Sequence, residues 1–280
     1  IIPMARHFLS RVRHLMQTKI QGKSRLKLPK AVADDLQLWM DLLTNANQGI
    51  SIKLIVTRQP SRVCWSDSCP FGIGGYSLVT GFAWRIRIPQ KSIIYGSNRV
   101  NNLLEFLGMA INILLEIKEC NRGGQDCILA LGDNRSAVGW LHNTAKLGPG
   151  EGAREAHLMV ARKIAHEALH NGCCIASQHI RGELNNVADL LSFASSLTRA
   201  GGKTHPLAAD DPPNDILTQR FHSTYPEQIP ANFAISQLPD EILSWASRVL
   251  QITASSLIAD KRAATKTMTA SGVDGSASAS

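Results

Sequence analysis

The sequence predicts an α/β domain in which a mixed five-stranded sheet carries helices on its faces. Three β-like runs separated by tight turns lie between residues 61 and 88, which indicates a meander of three strands. Two further short apolar runs follow, and helical patterns separate them. A meander followed by strands that alternate with helices is typical of a mixed sheet with helices packed on it.

Composition supports a globular protein with a core of its own. The chain has 280 residues, of which 44% are hydrophobic and 19% are charged. It contains no run of eighteen apolar residues, so we expect no membrane span, and its start does not have the pattern of a signal peptide. Because the first residue is Ile1 rather than Met, we expect a piece of a longer chain. Six cysteines without a CxxC pair indicate reduced core thiols and an intracellular protein.

The positive charge is concentrated at the N-terminus. The net charge is +8, and residues 1–31 contain eight basic residues and no acidic one. Such a segment suits a phosphate backbone, although a solvated helix face remains an alternative. We predict helices over residues 4–20 and 30–46, which together make a helical lead-in over residues 1–59. The candidate nucleic-acid-binding residues in it are Arg11, Arg13, Lys19, Lys23 and Arg25.

The predicted central domain covers residues 60–198. Its strands are expected at 61–67, 72–79, 82–88, 127–131 and 173–180, and Gly74-Gly75 and Thr80-Gly81 are expected to form tight connections. Its helices are expected at 99–119, 134–143, 152–171 and 185–197. For residues 199–280 we predict a linker, one helix over 238–257 and a disordered tail from residue 263.

Four acidic residues occupy the ends of predicted elements. Asp67 and Asp133 end two strands, whereas Glu105 and Asp189 lie in the first turns of two helices. If the strands of Asp67 and Asp133 are neighbours, the two carboxylates come close, and the covering helix can place Glu105 between them. Clustered carboxylates repel one another unless a cation binds. The pattern therefore predicts a Mg²⁺ site, with Mn²⁺ as a possible substitute.

Each acid also has a simpler explanation when it is considered alone. Asp133 is a suitable cap for the helix that follows it, and Glu105 is of a type common on solvated helix faces. Asp189 suits the positive end of a helix dipole, and Asp67 suits a turn. The metal-site hypothesis depends on the four acids occurring together at these positions.

Four motifs carry a resemblance to a known family. They are Trp65-Ser66-Asp67-Ser68 with Gly72-Ile73-Gly74-Gly75, Asn102-Leu103-Leu104-Glu105-Phe106-Leu107, Gly132-Asp133-Asn134-Arg135-Ser136-Ala137-Val138, and residues 179–192 with Asn185-Asn186-Val187-Ala188-Asp189. In this order they resemble the ribonuclease H domain of retroelement reverse transcriptases, most closely that of DIRS-type elements. The resemblance covers about residues 60–197.

The resemblance implies a ribonuclease H-like fold and hydrolysis of the RNA strand of an RNA–DNA hybrid by two Mg²⁺ ions. Asp67, Glu105, Asp133 and Asp189 would be the metal ligands, and Asn134 would contact nucleic acid. The upstream polymerase of the same polyprotein would be a partner, with the lead-in as the end of its thumb or connection region. Many relatives place a catalytic histidine in the loop before the last helix, whereas here His179 lies upstream and is assigned no role.

Two other functions stay open. A degraded retroelement copy would leave a catalytically inactive ribonuclease H-like module that still binds nucleic acid. Separately, His166-Glu167-Ala168-Leu169-His170 matches the HExxH pattern of zinc proteases, in which two histidines bind zinc and the glutamate acts as base. A third zinc ligand is not obvious, with His179 or Glu183 as the candidates.

Overall fold

A computed structural model describes residues 8, 9, 12, 15, 16, 27–47, 59–120, 126–142, 151–192 and 212–271. The predicted nucleic-acid-binding residues Arg11, Arg13, Lys19, Lys23 and Arg25 lie outside these ranges. The part of the lead-in that is described contains one long helix, α1 (Lys30–Asn47), close to the predicted bounds.

The sheet is mixed and has six strands, whereas the sequence predicted five. Its strands are β1 (Arg62–Cys69), β2 (Gly72–Ser77), β3 (Phe82–Arg87), β4 (Cys127–Gly132), β5 (Cys174–His179) and β6 (Ala234–Ile235). They lie in the order β5-β4-β1-β2-β3-β6. The meander β1, β2 and β3 is antiparallel, whereas β4, β5 and β6 join through parallel pairs.

The helices of the central domain are α2 (Asn101–Glu119), α3 (Arg135–His142), α4 (Glu151–Asn171) and α5 (Asn186–Leu191). Short 3₁₀ turns precede α2 at Asn98–Val100 and α5 at Gly182–Leu184. Helix α2 packs on the sheet, and α4 packs on α2. Because α2 is enclosed between these layers, its side chains supply much of the main hydrophobic core.

Two adjacent glycines of β2 let helices approach the sheet closely. A Cβ atom on Gly74 would lie 2.4 Å from the carbonyl carbon of Leu191 in α5, and one on Gly75 would lie 2.7 Å from Nδ2 of Asn112 in α2. Successive strand residues face opposite sides of a sheet, so α5 and α2 cover opposite faces. The expectation that Gly74-Gly75 forms a tight connection was wrong, because both residues lie inside β2. Gly81 does occupy a turn, with a φ of 71°.

The region after residue 200 contains more structure than the sequence predicted. Helix α6 (Asn214–Thr224) and strand β6 were not predicted, and helix α7 (Asp240–Ser271) continues nine residues into the segment expected to be disordered. Apolar side chains explain the first difference, since Leu217, Phe221 and Phe233 are buried against α5 and β3. A helix that is already formed extends without a new nucleation step, which explains the second.

Two helical segments are long and apolar enough to be membrane-span candidates by length and composition: Asn98–Glu119 and Asp240–Ala259. The first is 83% buried inside the protein, as expected of a core helix that packs on a sheet. The second packs with one face on α4. This is weak evidence for a membrane protein, because core helices of soluble proteins pass the same test.

Candidate metal centre

Three of the four predicted acids meet at one edge of the sheet. Asp67, Glu105 and Asp133 each offer a carboxylate oxygen, and these oxygens lie within 4.8 Å of one another. Asp67 and Glu105 are only 5% and 3% exposed, and Asp133 is partly exposed. The arrangement could hold a divalent metal ion, because hard cations prefer clustered carboxylate oxygens.

The parallel register of β1 and β4 brings Asp67 and Asp133 together. The paired residues end at Trp65 and Leu131. Each aspartate lies two positions farther along the chain, Asp67 within β1 and Asp133 directly after the end of β4. The two carboxylates therefore stand at the same level, beyond the last backbone pair of the ladder. This confirms the expectation that the two strands are neighbours, although β1 itself continues to Cys69 along its β2 edge.

Helix α2 places Glu105 above this position. Gly108, one turn later, allows the close approach, since a Cβ atom there would lie 3.0 Å from Cγ2 of Ile73 in β2. Two turns after Glu105, Asn112 fixes the helix to the sheet. Its Nδ2 donates to the carbonyl oxygen of Trp65 at 2.6 Å, and its Oδ1 accepts from Nε1 of Trp84 at 2.7 Å.

The two buried acids are unfavourable as anions when no cation is bound. Burial raises the pKa of Asp67 well above its ordinary value, and the charges of Asp133 and Asp189 raise it further. Burial also raises the pKa of Glu105, followed by the charges of Asp67 and Asp133, while hydrogen bonds from Ser68 oppose the shift. A bound dication would reverse this balance, because it favours the charged form of each carboxyl.

Asp189 lies beside the triad and not within it. Its charge contributes to the raised pKa of Asp67, but the group of described ligand atoms within 4.8 Å does not include it. Ser192 connects the two acids, since its Oγ lies 2.8 Å from Oδ2 of Asp67 and 2.8 Å from the carbonyl oxygen of Asp189. The hydroxyl thus connects the last turn of α5 to the Asp67 carboxylate.

Sequence reasoning missed the polar residues that support the acids. Ser192 and Ser68 hydrogen-bond to Asp67 and Glu105, respectively. Asn185, which is buried before α5, donates from Nδ2 to the carbonyl oxygen of Ser66 at 3.1 Å. Their nearness in sequence to Asp67 and Asp189 was the only available signal, and it does not reveal which side chain turns toward which acid.

Asn134, the predicted nucleic-acid contact that is described, has a structural role. Its Oδ1 accepts hydrogen bonds from the backbone N–H groups of Ser136 and Ala137, at 3.0 and 3.1 Å, and so caps α3. Its Nδ2 donates to Oδ1 of Asn102 at 2.9 Å. The cap that Asp133 alone could have supplied thus comes from Asn134. Contact of Asn134 with nucleic acid stays a prediction.

The loop before α5 also approaches the triad. A Cβ atom on Gly182 would lie 3.1 Å from Oδ2 of Asp133, so a larger residue there would press on the carboxylate. His179 reaches the same residue from the end of β5, with Nε2 3.0 Å from the carbonyl oxygen of Asp133. Glu183 is exposed in the 3₁₀ turn. His179 thus contacts the backbone of the site, whereas Glu183 faces solvent next to it.

Comparisons with known proteins found no matching family model, no matching curated protein and no matching solved structure. The assignment of function therefore depends on the geometry of the triad and on the resemblance of the four motifs that carry the acids. Both observations concern the same acids. The resemblance depends on their order in the sequence, and the geometry depends on their positions in space.

Proposed function

We propose that this chain is a ribonuclease H that hydrolyses the RNA strand of an RNA–DNA hybrid as part of a retroelement reverse transcriptase. The observation that carries the proposal is the triad of buried Asp67, buried Glu105 and partly exposed Asp133 at the ends of two neighbouring strands of a mixed sheet. Each member comes from a different one of the first three resembling motifs. The mixed sheet with helices on both faces is compatible with a ribonuclease H-like fold.

The donor set fits Mg²⁺, or Mn²⁺ in its place. The three acids supply only oxygen ligands, and the burial and mutual repulsion of Asp67 and Glu105 favour a cation over two uncompensated charges. Two ions bound there would activate water and stabilise the departing 3′ oxygen of the RNA. In the proposal, Asp67, Glu105 and Asp133 hold the metals, and Asp189 adds negative charge from the side.

The chain's own residues would keep the ligands in place. Ser192 and Ser68 orient the Asp67 and Glu105 carboxylates, and the Asn112 contacts with Trp65 and Trp84 hold α2 at a fixed height above β1. Such support matters because a small displacement of a ligand costs a large part of the rate. The hybrid would lie over this edge of the sheet, and its geometry and 2′-OH groups would select the RNA strand.

The test is cleavage of a labelled RNA–DNA hybrid with Mg²⁺, beside duplex DNA of the same sequence. We expect cleavage of the hybrid alone, and Asp67→Asn, Glu105→Gln and Asp133→Asn should each reduce it by at least about 10³-fold, because each removes a ligand. Hybrid binding, measured by fluorescence anisotropy, should stay within a few fold of the wild type. Glu227→Gln is the matched control, since Glu227 is exposed and lies in the segment between α6 and β6.

The outcomes separate the alternatives. A normal rate in Asp67→Asn would contradict the assigned site. Hybrid binding without cleavage by the wild type would instead favour the inactive module from a degraded element. Cleavage of duplex DNA at the same rate would keep a nuclease but exclude selection of the hybrid.

The structure gives no support to a zinc protease. Glu167, which would act as the base, accepts hydrogen bonds from Nζ of Lys163 at 2.9 Å and from Nδ2 of Asn171 at 3.5 Å. His179 lies at the far end of β5 from α4. Cys174 and His179 are five residue steps apart along the strand, which is about 16 Å. Among the described residues, neither His179 nor Glu183 joins His166 and His170 in a group of clustered metal-ligand atoms.

A further inference from the structure

The thiols of Cys120 and Cys173 meet where helix α2 ends and strand β5 begins. Cys120 follows the last residue of α2, and Cys173 lies directly before β5. The backbone N–H of Cys120 donates to the carbonyl oxygen of Ile117 at 3.2 Å, and that of Cys173 donates to the carbonyl oxygen of Ala168 at 3.1 Å. Both side chains are free thiols, and a hydrogen bond joins their sulfur atoms. The two sulfurs are therefore neighbours before any reaction takes place.

Arg62 of β1 fixes both sides of this junction. Its Nη2 donates to the carbonyl oxygen of Glu119, the residue before Cys120, at 2.7 Å. Its Nε lies 3.8 Å from Oδ1 of Asp126, whose carbonyl oxygen accepts from the N–H of Cys174 at 3.2 Å. The guanidinium thus connects the end of α2 to the start of β5 and keeps the two thiols in place.

The two thiols differ in exposure and in acidity. Cys120 is partly exposed, whereas Cys173 is only 2% exposed. The S–H of Cys120 donates to the sulfur of Cys173, and this hydrogen bond raises the pKa of Cys120 and lowers the pKa of Cys173. Thiol–disulfide exchange needs an accessible sulfur for the first attack and a neighbouring thiolate for the second. Cys120 suits the first role, and Cys173 suits the second.

The remaining four cysteines are less accessible to a reagent. All six cysteines lie in the described part of the chain, and Cys64, Cys69, Cys127 and Cys174 are each 8% exposed or less. Buried thiols in apolar surroundings react slowly. Exchange with a dissolved disulfide should therefore begin at Cys120.

We propose that Cys120 and Cys173 form a thiol–disulfide exchange site, at which a small disulfide such as glutathione disulfide converts them to an intramolecular disulfide. Cys120 attacks one sulfur of the reagent, its proton passes to the Cys173 thiolate, and a glutathione thiolate leaves. Cys173 then loses this proton to water and attacks the sulfur of Cys120, which releases the second glutathione thiolate. The two cysteines are oxidised, and the reagent is reduced to two glutathione molecules, whose thiolates take up the protons.

The site does not depend on the proposed nuclease function. Glu105 precedes Cys120 by 15 residues in α2 (120 minus 105), which is about 22 Å along the helix axis. The new bond would join the end of α2 to the start of β5 and close a loop of about 50 residues. It would stabilise the folded chain, because such a cross-link restricts the unfolded chain.

The experiment is incubation of the full reduced chain with glutathione disulfide, followed by alkylation of the free thiols and peptide mass spectrometry. We expect the six free thiols to fall to four, with one cross-linked peptide pair that contains Cys120 and Cys173. Cys173→Ser should stop at a glutathione adduct on Cys120. Cys120→Ser should lose thiols at least about tenfold more slowly than the wild type, because its remaining thiols are buried.

Cys174→Ala is the matched control, since Cys174 is the immediate neighbour of Cys173. It should form the same cross-link at a rate within about twofold of the wild type. Six free thiols in the treated wild type, a cross-link that contains Cys174 in place of Cys173, or no adduct in Cys173→Ser would each overturn the proposal.

Urea unfolding provides a second measurement. The oxidised wild type should unfold at a higher urea concentration than the reduced wild type, and dithiothreitol should remove the difference. In Cys120→Ser, treatment with glutathione disulfide should leave the midpoint unchanged. Equal midpoints of the oxidised and reduced wild type would contradict a bond between α2 and β5.

Discussion

His157 is a histidine enclosed in the main core. It is 2% exposed, its ring stacks on Phe106 at 4.9 Å between ring centroids, and it meets the edge of Trp140 at 4.4 Å. Burial lowers the pKa of His157 to about 4. Phe106 follows the triad residue Glu105 in α2, so the packing of His157 and the position of the triad are connected through adjacent residues of one helix.

The lowered pKa predicts an acid-dependent loss of stability. The folded protein keeps the His157 imidazole neutral, whereas the unfolded chain protonates it below a pH of about 6.5. Its contribution to the free energy of unfolding is therefore present above about pH 6.5 and is lost as the pH falls toward 4. The difference in pKa corresponds to roughly 3 kcal/mol. Between pH 7 and pH 4 the free energy of unfolding should fall less in His157→Phe than in the wild type, by about this amount. Urea unfolding at the two pH values measures the difference.

An NMR titration of the imidazole provides the control for this interpretation. The His157 ring should titrate near pH 4 or unfold with the protein before it does so. If the free energy of unfolding of the wild type and of His157→Phe falls by the same amount between pH 7 and pH 4, other groups control the acid dependence.

At the same scale, the acids of the triad were predictable and the residues that support them were not. Asp67 and Asp133 follow apolar runs, and a strand end is visible in one sequence. Ser192 reaches Asp67 across 125 residues, and Asn112 reaches Trp65 across 47. Such pairs depend on the height and rotation of a helix above the sheet. The position of Asp189 depends on the same packing. The sequence predicted it as a fourth member of the cluster, because no sequence pattern distinguishes a carboxylate inside the triad from one beside it.

Among the elements, α5 depends most on close packing. It has only six residues, yet it carries Asp189 and leads into Ser192, both of which act on Asp67. It lies against Gly74 of β2, which is paired with Asp67 in the sheet register. The glycine therefore determines how near α5 comes to the acidic triad.

Gly74→Ala should push α5 away from the sheet. The new methyl group would lie 2.4–2.7 Å from backbone and Cβ atoms of Leu191, which cannot yield by a simple rotation. We expect a loss of about 1–3 kcal/mol in the free energy of unfolding, as for other overpacked sites, together with weaker Mg²⁺ binding. Urea unfolding and titration with Mg²⁺ measure the two effects.

Gly139→Ala is the matched control for this change. Gly139 lies within α3, and nothing lies within 4 Å of the position of its Cβ atom. Alanine should therefore raise stability by up to about 1 kcal/mol, through helix propensity alone. Equal effects of the two substitutions would show that the contact between Gly74 and Leu191 does not limit the position of α5.

Most elements of the central domain follow from periodicity, but the role of the glycine pair does not. Apolar runs and helical spacing predicted the strands of the meander, β4, β5 and α2 close to their bounds. Gly74-Gly75 suggested a turn, because a single sequence favours turns at glycine and shows nothing of the helices that approach from above and below. A helix on each face makes glycine necessary inside a strand, and this is a property of the assembled sheet.

For the whole molecule, the segment after residue 212 completes both faces of the sheet. Helix α7 packs on α4 over the main core, where Ile242, Ala246 and Val249 are buried. Helix α6 covers the opposite face, and β6 extends the sheet beside β3. Phe221 and Phe233 are buried there beside Tyr76 and Leu191. The division of the chain into three parts, predicted from composition, did not include this packing of the last segment on the central domain. Apolar residues that are sparse in sequence can still converge in space.

A chain that ends at residue 198 should therefore be unstable, although the sequence alone predicts an intact domain. It would lose the residues of α6 and α7 that cover the core on the two faces of the sheet. Each buried aliphatic or aromatic side chain contributes about 1.5–3 kcal/mol. We expect aggregation or a broad urea transition without a defined midpoint, measured by circular dichroism beside the full chain. A sharp transition at the urea concentration of the full chain would restore the original domain division.

Point substitutions in the full chain test the same dependence without truncation. Phe221 is fully buried in α6, so Phe221→Ala should lower the free energy of unfolding by about 3–5 kcal/mol. Ile216, in the same helix, is 41% exposed, and Ile216→Ala should change it by less than about 1 kcal/mol. Because both variants keep the helix and differ in burial, a large difference between them identifies α6 as part of the folded domain. Equal, small effects would identify it as an appendage.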